Sequence, residues 1–359
     1  MTDRLRFAMV GAGWWANVAH LPAMVADPTI ELVSVVDADR ARARAVAERF
    51  GVTHTYGDVG ELLADIAVDC AVVATPHTTH RPIVELLLLA GVDVLVEKPL
   101  ATTAEDAWAL VELARRLGRT LSVGLTYQYA ATASEVRRVV SSGIGELVCV
   151  NAEFSSGTEG LFSVTELDAT AAGDPAVPHG TSYSDPLLSG GGQGQTQLTH
   201  LLGNLLWNTG AQADEVFAFM ANRGLPVDLV DALTFRLDGG ALGTATSTGT
   251  TPPGAEVRHR IRYHGTEAMV EHDLLKAEAW VFERGGGIRH LQNPDHEPTY
   301  RRSQPVSTFA AVVRGETANP APADVAAASV SLIEAAYVSA TEHRPVEVRR
   351  GTIIQEEQL

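Results

Sequence analysis

An apolar strand that runs straight into a glycine turn leaves this chain few folds to adopt. Phe7-Ala8-Met9-Val10 is continuously apolar, and Gly11-Ala12-Gly13-Trp14-Trp15-Ala16 follows it directly and opens a helix. The first glycine permits the tight turn, and the second lets backbone approach a pyrophosphate. The third position asks only for a small residue where helix meets strand, which Ala16 supplies. The helix N-terminus then offers free N–H groups and a positive dipole end to the phosphates. Asp37 closes the next strand, 21 residues beyond Ala16, where an acid hydrogen-bonds the ribose diol of an adenosine. A carboxylate there favours NAD over NADP, because a 2′-phosphate would meet like charge. Arg40, close by, blurs that preference. Trp14 and Trp15 either wall the phosphate pocket or pack on a partner domain. The alternative is a doubly wound fold that binds no nucleotide.

The next hundred residues keep the pattern. Strands are expected at Glu31 to Val36, Cys70 to Ala74, Val92 to Val96 and Thr120 to Val123. Helices are expected at Ala38 to Phe50, Pro82 to Ala90 and Ala104 to Leu117. Near-continuous apolar strands separated by helices fit a parallel sheet covered on both faces. After Gly143 the character changes. Strand-like runs follow one another at Glu146 to Phe154, Glu215 to Met220, Ala232 to Leu237, Ala241 to Thr248, Val257 to His264 and Ala277 to Glu283, with one late helix at Ala323 to Ser339. Val257 to His264 alternates for most of its length, which predicts a sheet with one wet face. The fold class is therefore α/β: a doubly wound parallel sheet over residues 1–124, joined to an α+β domain with an open, mostly antiparallel sheet over residues 125–359. At 359 residues the chain has material for both cores. The stretch from Ser155 to Ser189 is rich in Gly, Ser, Thr, Asp and Pro and predicts an active-site lid.

Composition narrows the partners. The formal net charge of −17 argues against nucleic acid or an anionic membrane surface. Arg40, Arg42 and Arg44 alternate with alanines and predict a solvated helix face. Cys70 and Cys149 lie in apolar runs and read as small buried hydrophobes rather than a disulfide pair. The chain enters a strand within a few residues of Met1, and its most apolar stretch, Ile83 to Val96, is too short to span a bilayer. A cytoplasmic setting is the expectation.

The chain holds 25 arginines and two lysines. Arginine replaces lysine on most surfaces, but a planar guanidinium that never deprotonates does not replace it as a proton carrier. A lysine kept at a strand end, in Glu97-Lys98-Pro99, is therefore a candidate for chemistry. Lys276, on an expected sheet strand, is the surface alternative. A second polar cluster follows Gly190-Gly191-Gly192. Read as a helix, it sets Leu198, Leu201, Leu202 and Leu205 on one stripe. Gln193, Thr196, Gln197, His200 and Asn204 share the opposite face, which predicts a cleft lining.

Taken together, these features resemble the Gfo/Idh/MocA oxidoreductase family along essentially the whole chain. The resemblance rests on the Gly11-x-Gly13-x-x-Ala16 turn, Thr75-Pro76-His77, Val94-Leu95-Val96-Glu97-Lys98-Pro99, the glycine-rich helix holding His200, and His343 to Val348. It implies a Rossmann domain beside an α/β domain whose open sheet commonly builds a homo-oligomer, a dimer or tetramer. It also implies hydride transfer between a nicotinamide and a hydroxyl-bearing carbon of a sugar, cyclitol or derivative. By position, Lys98 would bond the reacting oxygen and His200 would take its proton. Thr75, Pro76, His77 and Glu97 would lie beside the cofactor. His80 reads as structural, and a His77/His80 metal pair lacks a carboxylate or thiolate partner, so no metal is expected.

One departure matters. Many polyol dehydrogenases of this family carry an Asp four residues before the catalytic His, where this chain has Thr196. A threonine only hydrogen-bonds, so Lys98, Tyr127, Tyr183 or water would share proton transfer. Gln193, Gln197 and Asn204 suggest an amide-lined substrate pocket, with Tyr127 and Tyr183 at its edge or packed. Two further readings stay open: a retained NAD whose transient oxidation drives glycoside cleavage or sugar-to-sugar hydride exchange, and a dinucleotide or sugar sensor without turnover.

Overall fold

The computed structural model describes residues 4–163, 180–292 and 300–351. β1 (Leu5–Val10), β2 (Ile30–Val36), β3 (His54–Tyr56), β4 (Cys70–Val73), β5 (Asp93–Val96) and β6 (Leu121–Val123) form a parallel sheet in the order β3-β2-β1-β4-β5-β6. Every residue of β4 is buried, as strands covered on both faces require. The covering helices are α1 (Leu21–Ala26), α2 (Arg40–Phe50), α3 (Val59–Asp65), α4 (His80–Leu89) and α5 (Ala104–Leu117). Their ends follow local chemistry. The Asp39 carboxylate accepts the Ala41 and Arg42 N–H groups at the start of α2, and the Thr103 hydroxyl accepts that of Asp106 at the start of α5. Gly51 and Gly118, with positive φ, end those helices.

β7 (Leu147–Ser155), β8 (Ala213–Ala221), β9 (Val230–Leu237), β10 (Leu242–Thr248), β11 (Arg258–Gly265), β12 (Ala268–Asp273), β13 (Glu278–Glu283), β14 (Ile288–Gln292) and β15 (Val346–Glu347) form a nine-stranded sheet. Its order is β14-β13-β12-β11-β7-β10-β9-β8-β15, and only β7 and β10 run parallel. Val150, Ala152 and Phe154 are buried on the inner face. Across the outer face Arg262 pairs with Asn151 and Glu271.

Several expectations need correction. α6 (Ala131–Ser142), α7 (Thr199–Thr209), α8 (Gln304–Val313) and α9 (Ala323–Glu342) complete the helices used below; α6 and α8 fall where no helix was expected. α8 returns to the first sheet, where Phe309 meets Phe7 edge-on at 6.0 Å. Lys276 sits in the exposed turn between β12 and β13, not on a strand, and Cys149 is only half-buried. The expected lid carries short helices at Glu159–Phe162, Gly180–Ser184 and Pro186–Ser189; its portion 164–179 lies outside the described residues. Among those described, α9 is long and apolar enough by length and composition to cross a membrane, yet 78% of that window is buried within the protein. It packs on α5 and β8 as a core helix.

Candidate active site

β5 delivers Glu97 and Lys98 to the carboxyl end of the parallel sheet, where doubly wound folds bind ligands. The Glu97 carboxylate is buried. Its Oε1 accepts Trp15 Nε1–H at 2.9 Å and faces His20 Nε2 at 3.0 Å, while Oε2 accepts the Lys98 N–H at 3.2 Å. Burial pushes this carboxyl up, but the bond and field of His20, then Lys98 and Trp15, hold it below the usual carboxylate range. The Lys98 ammonium donates to the Thr196 carbonyl at 2.9 Å. Burial lowers its pKa below the ordinary lysine value, and Glu97 opposes the fall.

His200 enters from the other domain. The run after Gly192 makes a π-helical turn at Gly194–Leu198 and continues as α7. The imidazole is buried, and its pKa falls well below the ordinary value because of burial first, then the Lys98 charge, with His259 a lesser electrostatic neighbour. It is therefore a neutral ring, able to accept a proton. Tyr127 meets it edge-on at 5.5 Å.

Lys98, His200, Thr196, Gln197 and Tyr127 line one cavity of about 260 Å³. Leu161, Tyr300 and Arg302 line it too. None of these three belongs to a motif, and only the folded chain brings them there. The Arg302 guanidinium lies over the Trp15 ring at 5.7 Å. A second cavity of about 440 Å³ runs along Gly11, Gly13, Asp37, Pro76 and Arg42. Trp14, Trp15, Ala74, Thr75, His77 and Tyr183 line both cavities, so the two spaces share a wall. Tyr183 meets His77 edge-on at 6.1 Å, and burial pushes its phenol up to about 12.

The second cavity has the shape a dinucleotide needs. A Cβ on Gly11, whose φ is +95°, would stand 2.4 Å from the Ala74 carbonyl oxygen, so this glycine serves the turn. A Cβ on Gly13 would meet nothing within 4 Å, so this glycine leaves open space in front of the helix start. Ala16 is fully buried against the sheet. Asp37 Oδ2 accepts the Ala12 N–H at 2.8 Å, fastening the turn to the second strand.

Four expectations change here. Gln193 is buried away from the cavity, its amide bonded to Thr158, Ser156 and Ser247. Asn204 is also buried and donates to the His200 carbonyl at 2.9 Å. Neither lines the cavity: Gln193 stands ahead of α7 and turns toward Ser156 and Ser247, and Asn204 lies on a helix buried along almost its whole length. The arginine beside Asp37 is Arg42, not Arg40: Arg42 grips both carboxylate oxygens at 2.7 and 3.1 Å, whereas Arg40 pairs with Glu61. Arg42 is thus an ion-pair partner rather than part of a solvated face. The Thr196 hydroxyl turns back to the Gly192 carbonyl at 2.7 Å, although Thr196 still lines the cavity.

His77 lies with Nδ1 at 2.8 Å from the Ser189 carbonyl. His80 is enclosed by the carbonyls of Pro99 and Thr75 at 2.8 and 3.0 Å, a structural role. Among the described residues no group of three or more His, Cys, Asp or Glu is placed to hold a metal. A larger hollow of about 580 Å³ lies on the outer face of the nine-stranded sheet, away from these residues.

A dinucleotide cleft opening onto a half-buried lysine and a buried histidine, each from its own domain, defines a two-domain Rossmann protein with an interdomain site. The family models agree. Residues 5–125 match the NAD-binding Rossmann fold of the GFO_IDH_MocA oxidoreductase family, and residues 133–271 match a GFO/IDH/MocA C-terminal domain. The chain belongs to the Gfo/Idh/MocA oxidoreductase family. It is similar to D-glucoside 3-dehydrogenase of Escherichia coli (strain K12), 32% identical over 149 residues, 41% of this chain and 42% of that protein. It is also similar to dTDP-3,4-didehydro-2,6-dideoxy-alpha-D-glucose 3-reductase of Streptomyces antibioticus, 38% identical over 155 residues, 43% of this chain and 47% of that protein. The chain spans about half the length of the curated relatives it matches. Among solved structures, GenD2 from gentamicin A biosynthesis, in complex with NAD, matches with TM-score 0.75 and 26% identity over 97% of both chains.

Proposed function

We propose that this protein is an NAD-dependent dehydrogenase or reductase acting on a hydroxyl-bearing carbon of a sugar, cyclitol or derivative. The carrying observation is that the Lys98 ammonium and the His200 ring line one cavity, and that this cavity shares six lining residues with the dinucleotide cleft. Gly11, Gly13, Trp14, Thr75, His77 and Asp37 would hold the nucleotide; bound NAD takes up or gives a hydride at its nicotinamide ring. Lys98 holds the reacting oxygen and stabilises its developing charge. His200, neutral in the folded protein, takes the hydroxyl proton during oxidation and returns it during reduction. With Thr196 committed to the Gly192 carbonyl, no carboxylate assists His200 from that position, which leaves Lys98 the larger share. Gln197 and Tyr127 line the space for further hydroxyls. Named relatives that act on sugar-derived substrates support the carbohydrate class.

NAD rather than NADP is supported by the Asp37 carboxylate at the cleft wall. A homo-oligomer formed through the nine-stranded sheet is supported by Phe219, Leu242 and Trp280, apolar side chains exposed on its outer face. The unpaired Cys70 and Cys149 are consistent with a reducing compartment.

The test is nicotinamide reduction, followed by near-ultraviolet absorbance, with NAD⁺ or NADP⁺ and a panel of inositols, aldoses, glucosides and amino sugars. Turnover with a panel member, faster with NAD⁺, supports the reading. Silence across the panel from protein that binds NAD contradicts it.

A further inference from the structure

The glycine run ahead of His200 encloses a carboxylate. Asp228, buried on the segment before β9, accepts the Gly192 N–H and the Tyr337 hydroxyl on Oδ1, both at 2.7 Å. Its Oδ2 accepts the Gly194 N–H, also at 2.7 Å. Two alternate backbone N–H groups thus close on the carboxylate, while the Gln193 N–H between them donates to the Asp228 backbone carbonyl at 2.9 Å. The contact needs glycine. A Cβ on Gly192 would stand 2.1 Å from the Asp228 carbonyl oxygen, and one on Gly194 would stand 2.7 Å from the Tyr337 hydroxyl.

The far side of the same turn leads to the lysine. The Gly192 carbonyl accepts the Thr196 N–H at 2.9 Å and the Thr196 hydroxyl at 2.7 Å. The Thr196 carbonyl in turn accepts the Lys98 ammonium at 2.9 Å. The Gly192 N–H and C=O lie on neighbouring peptide planes of one turn, so the bond that fixes the first plane on Asp228 also orients the carbonyl that holds Thr196, and through it the carbonyl that holds Lys98. Asp231 lies against Asp228 with no other partner for its carboxyl oxygens among the described residues. Burial, then the Asp228 charge and hydrogen bond, raise the Asp231 carboxyl well above the usual range, so it stays protonated and acts as a donor.

We propose that Asp228 is the positioning residue for Lys98: its carboxylate, held by two glycine amides and Tyr337, fixes the turn whose Thr196 carbonyl sets the ammonium in the cavity. The inference rests on the assignment of Lys98 to the reacting oxygen, but it is testable without turnover. The chain has two lysines, one half-buried in the site and one exposed on the β12–β13 turn. Lysine carrying carbon-13 at Cε therefore gives two side-chain signals, with Lys276 as an internal reference.

In Asp228→Asn, whose amide presents donors to the glycine N–H groups, the Lys98 signal should move and its titration midpoint should shift by about half a pH unit or more, with Lys276 unchanged. Tyr337→Phe should shift Lys98 in the same direction by less. Asp231→Asn, which keeps a donor toward Asp228, should leave the Lys98 signal in place. A Lys98 signal and midpoint in Asp228→Asn that coincide with wild type overturn the proposal. Should Asp228→Asn not fold, Tyr337→Phe decides, and an unmoved Lys98 signal there overturns it equally. With any panel sugar that turns over, Asp228→Asn should lower kcat about tenfold or more while the KM for NAD stays within about twofold. A protein silent with every sugar refutes the proposed chemistry and leaves the lysine titration standing as a separate result.

Discussion

The Lys98 ammonium donates to the Thr196 carbonyl at 2.9 Å, so the lysine that ends a strand of one domain is moored to the turn that starts the other domain's histidine helix. Each residue comes from a different sheet system, and neither position has chemical meaning alone. The bond makes the two domains one site.

The two glycines of the nucleotide turn should fail differently. Gly11→Ala places a Cβ 2.4 Å from a backbone carbonyl oxygen at a φ of +95°, so it should destabilise the fold, by about 1–3 kcal/mol. Gly13→Ala meets no protein atom within 4 Å, so its thermal midpoint should stay near wild type while NAD affinity falls about tenfold or more. Paired thermal melts and nucleotide titrations check this. A Gly13→Ala protein that binds NAD as wild type does would remove the pyrophosphate from that space.

Asp37 should govern the choice of nucleotide. Its carboxylate occupies Arg42 at 2.7 and 3.1 Å. Asp37→Ser removes the like charge and releases a guanidinium suited to a 2′-phosphate. The ratio of kcat/KM for NADP over NAD should rise about 10- to 100-fold, one to two steps of about 1.4 kcal/mol. An unchanged ratio would place the adenosine ribose elsewhere.

Acid should unfold this protein early. Burial pulls His259 down to about 3 and His272 to about 4 from an ordinary value of 6.5, and His77 and His200 also titrate well below it. The unfolded chain binds these protons before the folded chain does. The stability is therefore complete above about pH 6.5 and is lost as pH falls through the window toward 4 and then 3. Thermal melts from pH 7 to 4 should show a steep fall, and His259→Gln should flatten it. A midpoint constant across that range would contradict the buried neutral rings.

The first domain was largely legible because its strands are continuous apolar runs and its glycine turn carries its own geometry. α3 and β3 escaped notice because seven and three residues hold too little periodicity. The polar face read on α7 misled for a physical reason. Gln193 and Asn204 look like a cleft lining in sequence, but both are buried: Gln193 bonds Ser156 and Ser247 beside the second sheet, and Asn204 bonds back to the His200 carbonyl of its own helix. Arg42 replaced Arg40 beside Asp37 because a two-residue step along a helix turns a side chain to another face. Tyr300 and Arg302 join the cavity from a segment with no motif, so only tertiary contact reveals them.

The most direct test of the account is hydride transfer by wild type and Lys98→Ala measured side by side, per nucleotide-binding site, on the first panel sugar that turns over. The account predicts that Lys98→Ala binds NAD normally and loses about 10²- to 10⁴-fold in kcat, and that Lys98→Arg does not restore it, because a guanidinium neither fits the Thr196 carbonyl as a point donor nor releases a proton. A Lys98→Ala enzyme that turns over within a few-fold of wild type would contradict the account.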